Sequence, residues 1–439
     1  MKPVLKNNTT MKNLVFAFLL LFSFAAFASG PIGWASVDAN GQNGTTGGAG
    51  GEVVTVNNMT DLFLQCQRTE PVIIQIEGLI QITPKGRHIA VRSNKTIIGI
   101  TDDAGLVEGG FSVGNGQKNI IFKNLTISDT FVEGDWDGKE QDWDGIQIKG
   151  TCHHIWIDHC TFLRQGDGAV DITNGASYIT ISNTVFGQNN KASLIGSSDS
   201  DTHVNAYKVT IHNSWFNETT QRHPRVRFGQ VHLFNNYYYN MGGYGRAMGY
   251  ANSNGYGIGV GVSAQIYSEN NFFEQVVHPA QFYDNAQKPG YIIDIGSHLV
   301  ASGNFITRPD GINWNPADHY EYTLIDAELV KEVVMSTAGA GQSSTHIQDI
   351  YANRQLLDLN LFPNPVTDHA RIVFELPEAG YASVVMRDLT GREVQHISQS
   401  WHPKGRHSIG FSKQHIQPGI YLISVESNNQ SVTRKIVIR

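Results

Sequence analysis

Short runs of alternating apolar and polar residues recur through the middle of the chain. They are "NIIFKNLTI" (119–127), "HIWIDHCTF" (154–162), "YITISNTVF" (178–186), "KVTIHNSWF" (208–216), "QVHLFNNYY" (230–238) and "QIYSENNFF" (265–273). Alternation with a period of two predicts strands with one buried face. Each run carries Asn or His at a fixed place and then resumes with an aromatic or aliphatic residue. Aligned on Asn124, His159, Asn183, Asn213, Asn235 and Asn270, the repeats lie 35, 24, 30, 22 and 35 residues apart. Short β units at a period of about 20–50 residues indicate a solenoid. Each unit is too small to bury its apolar face alone, so units stack into one core. The repeated Asn suits a bend, where its side chain bonds the backbone of neighbouring coils. Helical periodicity is weak throughout. The pattern predicts an all-β chain, with a right-handed parallel β-helix from about residue 50 to 335.

The composition changes at "STAGAGQSSTHIQ" (336–348), which reads as the solenoid's end and a linker. Beyond it come short alternating strands: "LFPNPVTDHARIVFEL", "ASVVMRDLTGREV", "GRHSIGFS", "PGIYLISVES" and "SVTRKIVIR", separated by Gly and Pro turns. This tail predicts a small antiparallel β-sandwich with no chemical constellation of its own. At the other end, lysines precede the apolar run "LVFAFLLLFSFAAFA" (14–28), followed by small residues. The run reads as a secretion signal cleaved near Ala28, and it is too short for a membrane anchor. Met1 and Met11 both remain possible starts. The expected division is a signal peptide at 1–28, a β-helix at 29–340, a linker at 341–355 and a C-terminal domain at 356–439.

Composition adds little to this picture. The 439 residues are too many for one small core. With 16% charged residues and 45 glycines, the chain is turn-rich and neither disordered nor coiled-coil. A formal charge of −7 gives no sign of nucleic-acid or lipid binding. The cysteines, Cys66, Cys152 and Cys160, allow one pair at most and form no metal spacing or disulfide framework. Cys152 and Cys160 read as core fillers.

At "WIDHCTF", "DGAVDIT", "YITISNTVF", "KASLIGSSDS" and "QRHPRVRFGQVHLFNNYY" the chain resembles polysaccharide lyase family 1, the pectate lyases. The likeness runs from "GTTGGAGGEVVTV" (44–56) to "STAGAG" (336–341), with the motifs in the family's order. The tail from about residue 356 resembles the C-terminal sorting domain of the type IX secretion system, with "PNP" near its start and "GIYLISV" and "RKIVIR" at its end. The resemblance implies a secreted or cell-surface enzyme that acts on polygalacturonate with Ca²⁺ and meets the type IX machinery through its tail. A monomer is expected.

Polygalacturonate carries a carboxylate on every sugar. β-Elimination removes the proton on C5, beside that carboxylate, and expels the O4 oxygen. The site must neutralise the carboxylate, stabilise the developing charge and accept a proton. Asp167 and Asp171 stand four apart in "DGAVD"; read as extended strand, they share a face. Asp144 in "DWDGIQI" comes from the preceding coil, and Asp142 is a further candidate. Asp144 shares the parity of the inward Ile146 and Ile148, so its use requires a bend near Gly145. Such oxygens, open to solvent and to uronates, suit Ca²⁺, and the matching family positions hold calcium. Pectin lyases of the same superfamily, which act on methyl-esterified chains, lack these acids, so a de-esterified substrate is favoured.

By the same resemblance Lys191 meets the substrate carboxylate, Arg227 pairs with a carboxylate, and Arg222 stands at the position proposed for the base. Arg225 is left between substrate binding and structural support. A guanidinium ordinarily stays protonated. Neighbouring positive charge would lower its pKa, and an alkaline optimum follows. A water held by Arg222 is the alternative proton acceptor. "WIDH" (156–159) reads as support for the coil stack. "YYYNMGGYGRAMGY" (237–250) is either a sugar-stacking loop or packing, with Arg246 a candidate for contacts further along the sugar chain. A β-helix polygalacturonase, with Asp167 and Asp171 as a hydrolytic pair, and a non-catalytic pectin-binding protein are the rival readings.

Overall fold

The computed structural model describes residues 30–203, 206–250, 255–342, 358–376, 379–427 and 430–439. The expected leader at 1–28 and most of the expected linker lie outside the described residues. Among the described residues three parallel sheets run side by side. The first has ten strands, from Glu52–Val56 to Tyr291–Ile295; the second has nine, from Leu79–Gln81 to His298–Val300; the third has eight, from Arg87–Ala90 to Ala280–Tyr283. The chain visits the sheets in turn, one strand each per coil, so every strand pairs with the strand one coil away. This is the parallel β-helix that the alternating runs predicted.

The aligned Asn and His positions carry the corner between the first and second sheets. Asn124, His159, Asn183, Asn213, Asn235 and Asn270 all have positive φ, between 45° and 55°. Asn tolerates this left-handed conformation better than other residues with a Cβ. Each backbone N–H reaches the next coil: that of Asn183 donates to His212 O at 3.1 Å, and that of Asn213 to Phe234 O at 3.2 Å. One residue further on, a buried polar ladder continues inside the turn. The Ser214 N–H donates to Asn236 Oδ1 at 3.0 Å, and the Asn236 N–H to Asn271 Oδ1 at 2.8 Å.

Inward positions fill the core. In the second sheet, Phe162, Phe186, Phe216, Tyr238 and Phe273 stack coil on coil, with successive centroids 5.6, 4.9, 4.9 and 4.3 Å apart. Cys66, Cys152 and Cys160 are buried and free, as core fillers would be.

Three α-helices among the described residues were not foreseen, the shortest being Gly243–Ala247 within the aromatic, Gly-rich stretch 237–250. Met59–Cys66 starts at Asn58, whose side chain accepts from the Asp61 N–H, and buries Leu62 and Cys66 in the core. Ala327–Thr337 lays Leu329, Val330, Val333 and Val334 against Tyr237 and Phe272 of the second sheet. The start of the stretch read as a linker is docked to the solenoid. Gly339 N–H donates to Asn183 O at 2.8 Å, Ala340 N–H to Thr161 Oγ1 at 2.9 Å, and Gly341 N–H to Asn124 Oδ1 at 2.5 Å. The chain thus descends the asparagine corner coil by coil.

The tail forms two antiparallel sheets, of three and four strands, enclosing a core that includes Leu359, Ile372, Val384 and Ile423.

Candidate active site

The site lies at the third sheet. Strand Val170–Thr173 points Val170 and Ile172 into the core and Asp171 outward. In register, Gln147, Asp171, Leu194 and Arg225 form one outward row across four coils. Asp167 is not on that strand. It occupies a bend before it, so the shared strand face expected for Asp167 and Asp171 is not how they meet. Gly168 makes the approach possible: a Cβ there would sit 2.3 Å from Asp171 Oδ1 and 3.1 Å from Asp144 Oδ1.

The bend that Asp144 required is present. The chain bends at Gly145, immediately before strand Ile146–Lys149. Asp144 is only 1% exposed. Its Oδ1 accepts from the Gly168 N–H at 2.6 Å and its Oδ2 from Gln147 Nε2 at 2.8 Å. Asp142, Asp144 and Asp167 bring carboxylate oxygens within 4.8 Å of one another. Asp171 stands beside this trio, its Oδ1 accepting from the Leu194 N–H at 3.2 Å and its Oδ2 turned to Arg222.

The electrostatics show strain in this group. Burial, and then the charges of Asp171, Asp167 and Asp142, push the Asp144 carboxyl well above its usual range. Burial pushes Asp171 to about 6, against the pull of Arg222 and with Asp167 adding to the rise. Crowded buried carboxylates resist ionisation unless positive charge joins them. The donor set, all oxygen and all acidic, fits a hard divalent cation.

The cations adjoin the carboxylates. Lys191 Nζ contacts Asp167 Oδ1 and the Asp137 carbonyl. Its backbone bridges to Gln221, one residue before Arg222. Arg222 Nη1 lies 3.4 Å from Asp171 Oδ2. Burial works to lower the Arg222 pKa, but Asp171, Asp167 and Asp144 outweigh it, and the net direction is upward. This is opposite in sign to the lowering expected from neighbouring positive charge, because the nearest charges are carboxylates. Arg227 is tied to Asp199 Oδ1 at 2.6 Å and to Gly196 O at 3.0 Å. Arg225 lies over the Tyr283 ring at 4.4 Å, and burial followed by Arg227 lowers its pKa.

Other singled-out residues fall elsewhere. Asp158 sits on the first sheet and binds Lys123, Ser182 and Asn183, a coil-bracing role. Arg246 donates to Met241 O and Asn240 Oδ1. Sequence reasoning missed Gln147 and Gly168, which position Asp144, and Asp199, which holds Arg227. Gln147 was visible as an outward position in "DGIQI"; the other two carried no signal.

A parallel β-helix with a carboxylate cluster set against lysine and arginine on one outer sheet defines the class: a solenoid suited to an anionic polymer. A family model described as pectate lyase matches residues 7–343, and one described as a secretion system C-terminal sorting domain matches residues 360–439. The chain belongs to the pectate lyase family and carries such a sorting domain.

A pectate trisaccharide-lyase of Thermotoga maritima is 42% identical over 237 residues, 51% of this chain and 64% of that protein. Pectate lyase A of Dickeya chrysanthemi is 35% identical over 295 residues, covering 58% and 72%. The chain therefore spans somewhat under two thirds of the first relative's own length. Among solved structures, a Bacillus pectate lyase in complex with trigalacturonate aligns with a TM-score of 0.59 and 27% identity, over 71% of this chain and 99% of that one.

Proposed function

We propose that the chain is a secreted, calcium-dependent pectate lyase that cleaves de-esterified polygalacturonate by β-elimination. The observation that carries this reading is one contiguous group: buried Asp144 and Asp171 repelling each other, with Lys191 paired to Asp167 and Arg222 paired to Asp171. The acidic and basic halves of the required chemistry adjoin through these two pairs, which supports the reading.

Asp144, Asp167 and Asp171, with Asp142 at the exposed edge, are the residues that would hold calcium. Calcium bound there supplies positive charge that offsets the aspartates and the uronate, and with it the aspartates' pull on the Arg222 proton. Lys191 and Arg227 donate hydrogen bonds to the uronate carboxylate, easing charge build-up next to C5. Arg222 handles the C5 proton, itself or through a water it orients. Asp171 fixes the guanidinium in place, and Gln147 and the Gly168 N–H fix Asp144. Arg225, laid against Tyr283, supports the arginine run.

The division into leader, β-helix, linker and sorting domain belongs to the same reading, as does export through the type IX machinery, ending free or at the cell surface. Among the described residues no helix is long and apolar enough to cross a membrane. The raised pKa of Asp171 is also what a polygalacturonase acid would need, which makes product identity the test. Digestion of polygalacturonate should give oligomers lighter by one water than hydrolysis products, each with a C4–C5 double bond. Fully hydrated oligomers would assign the site to hydrolysis.

A further inference from the structure

Beside Lys191 lies a cavity of about 350 Å³, of the order of small-molecule sites at roughly 300–1,000 Å³. Asp135, Trp136, Asp137, Asn190, Gln221 and Tyr250 line it. Its aromatic wall is fixed. Trp136 and Tyr250 stack with centroids 4.4 Å apart and planes 7° apart, and Tyr244 closes on Trp136 at 6.1 Å. Its floor is a pair of amides: Asn190 Nδ2 donates to Trp136 O at 2.7 Å, and Gln221 Nε2 to Asn190 Oδ1 at 3.3 Å. The cavity adjoins the site through Asp137, which lines it and whose carbonyl accepts from Lys191 Nζ.

Its charge is opposite to that of the arginine end. Of its lining residues Asp135 and Asp137 are acidic and none is basic, and Asp137 pairs with Lys139 Nζ at 3.0 Å from outside the lining. The Asp135 carboxylate accepts from the Lys139 and Glu140 N–H groups, both at 3.1 Å. Hydrogen bonding from Lys139 holds Asp137 below the usual carboxylate range, so it stays ionised. The Lys191 ammonium contacts Asp167 and the Asp137 carbonyl at the border between cavity and site. A uronate carboxylate entering here would meet like charge across a partly enclosed space, whereas an uncharged sugar would meet ring faces and amides.

We propose that this cavity takes an uncharged pyranose, for which a pectin chain supplies methyl-esterified galacturonate, next to the ionised uronate held at Lys191 and Arg227. The inference rests on the lyase reading and refines its substrate: the bond-breaking unit is de-esterified, and its neighbour on the Trp136 side is neutral.

The test uses the full chain with calcium, polygalacturonate and a partly methyl-esterified pectin, comparing wild type with the double variant Asp135→Asn, Asp137→Asn. Both Asn residues keep an acceptor oxygen, and the Asp137 carbonyl that holds Lys191 is untouched. Each preparation is measured on both substrates, so a partial loss of folded protein cancels in the ratio. Removing two nearby charges should raise the ratio of kcat/KM for polygalacturonate over the esterified pectin about tenfold. Mass spectrometry of wild-type products from the esterified pectin should show methyl esters enriched at one position next to the cleaved bond. An unchanged ratio with random ester placement would overturn the inference while leaving the lyase reading intact. A fall in the ratio with a stronger calcium requirement would also overturn it, since the carboxylates would then bridge a cation to a charged unit. No unsaturated product from either substrate would instead remove the lyase reading on which the inference stands.

Discussion

Arg222 Nη1 stands 3.4 Å from Asp171 Oδ2; Asp171 lies on strand Val170–Thr173 of the third sheet, and Arg222 in the segment leading into strand Arg225–Val226, two coils on. The pair joins the acidic half of the site to its basic half. It holds the guanidinium charged and in place, although Asp171 itself is pushed towards its neutral form.

Replacing Arg222 by Lys keeps a charge near Asp171 but loses the planar, extended guanidinium. We expect kcat on polygalacturonate to fall about 10²–10⁴-fold, the range for a lost proton-transfer group, with a smaller change in KM. Steady-state kinetics check this, and near-normal turnover would end the assignment of proton handling to Arg222.

Asp144→Asn removes one charge from the crowded group while keeping its shape. Calcium affinity should fall by about 10–100-fold, as the charge of the ligand set sets affinity. The metal-free protein should become more stable, because the repulsion from Asp171, Asp167 and Asp142 is relieved. Calorimetric titration and thermal melting read the two effects, which are expected to have opposite signs.

The raised carboxyls also set a pH dependence for the metal-free chain. Between the ordinary carboxylate range near 4 and the Asp171 value of about 6, the folded state binds more protons than the unfolded state. Stability therefore falls as pH rises through that window. Calcium, which binds the ionised folded site, should raise the melting temperature more at pH 8 than at pH 5. Melting curves with and without chelator at the two pH values test this.

At the asparagine corner, Asn213 has φ 51° and its Oδ1 accepts from Asn235 Nδ2 at 3.2 Å. Asn213→Ala should cost about 1–3 kcal/mol from left-handed strain and the lost bond. Asn213→Gly should cost less, since glycine adopts that φ freely. Denaturant unfolding distinguishes the two.

Much of this was legible in the chain. The strand runs and the corner residues follow from local alternation and from the left-handed tolerance of Asn, and both signals repeat in each coil. The helix Ala327–Thr337 was overlooked although Leu329, Val330, Val333 and Val334 have helical spacing, because one amphipathic turn pattern is weak beside six strand repeats. The bend at Gly145 could be inferred, since Asp144 had the wrong parity for a ligand. The bend that takes Asp167 off the strand could not, because "DGAVD" reads equally well as extended chain. Contacts between distant segments, such as Trp136 on Tyr250 or Asp199 on Arg227, depend on how long loops return to the solenoid, and no local pattern encodes that.

The account is tested most directly by following the ultraviolet absorbance of polygalacturonate incubated with the protein in calcium, then in excess chelator, then with calcium restored. It predicts absorbance from the unsaturated product that rises, stops and resumes. Bond cleavage without that absorbance, or absorbance indifferent to the chelator, would contradict it.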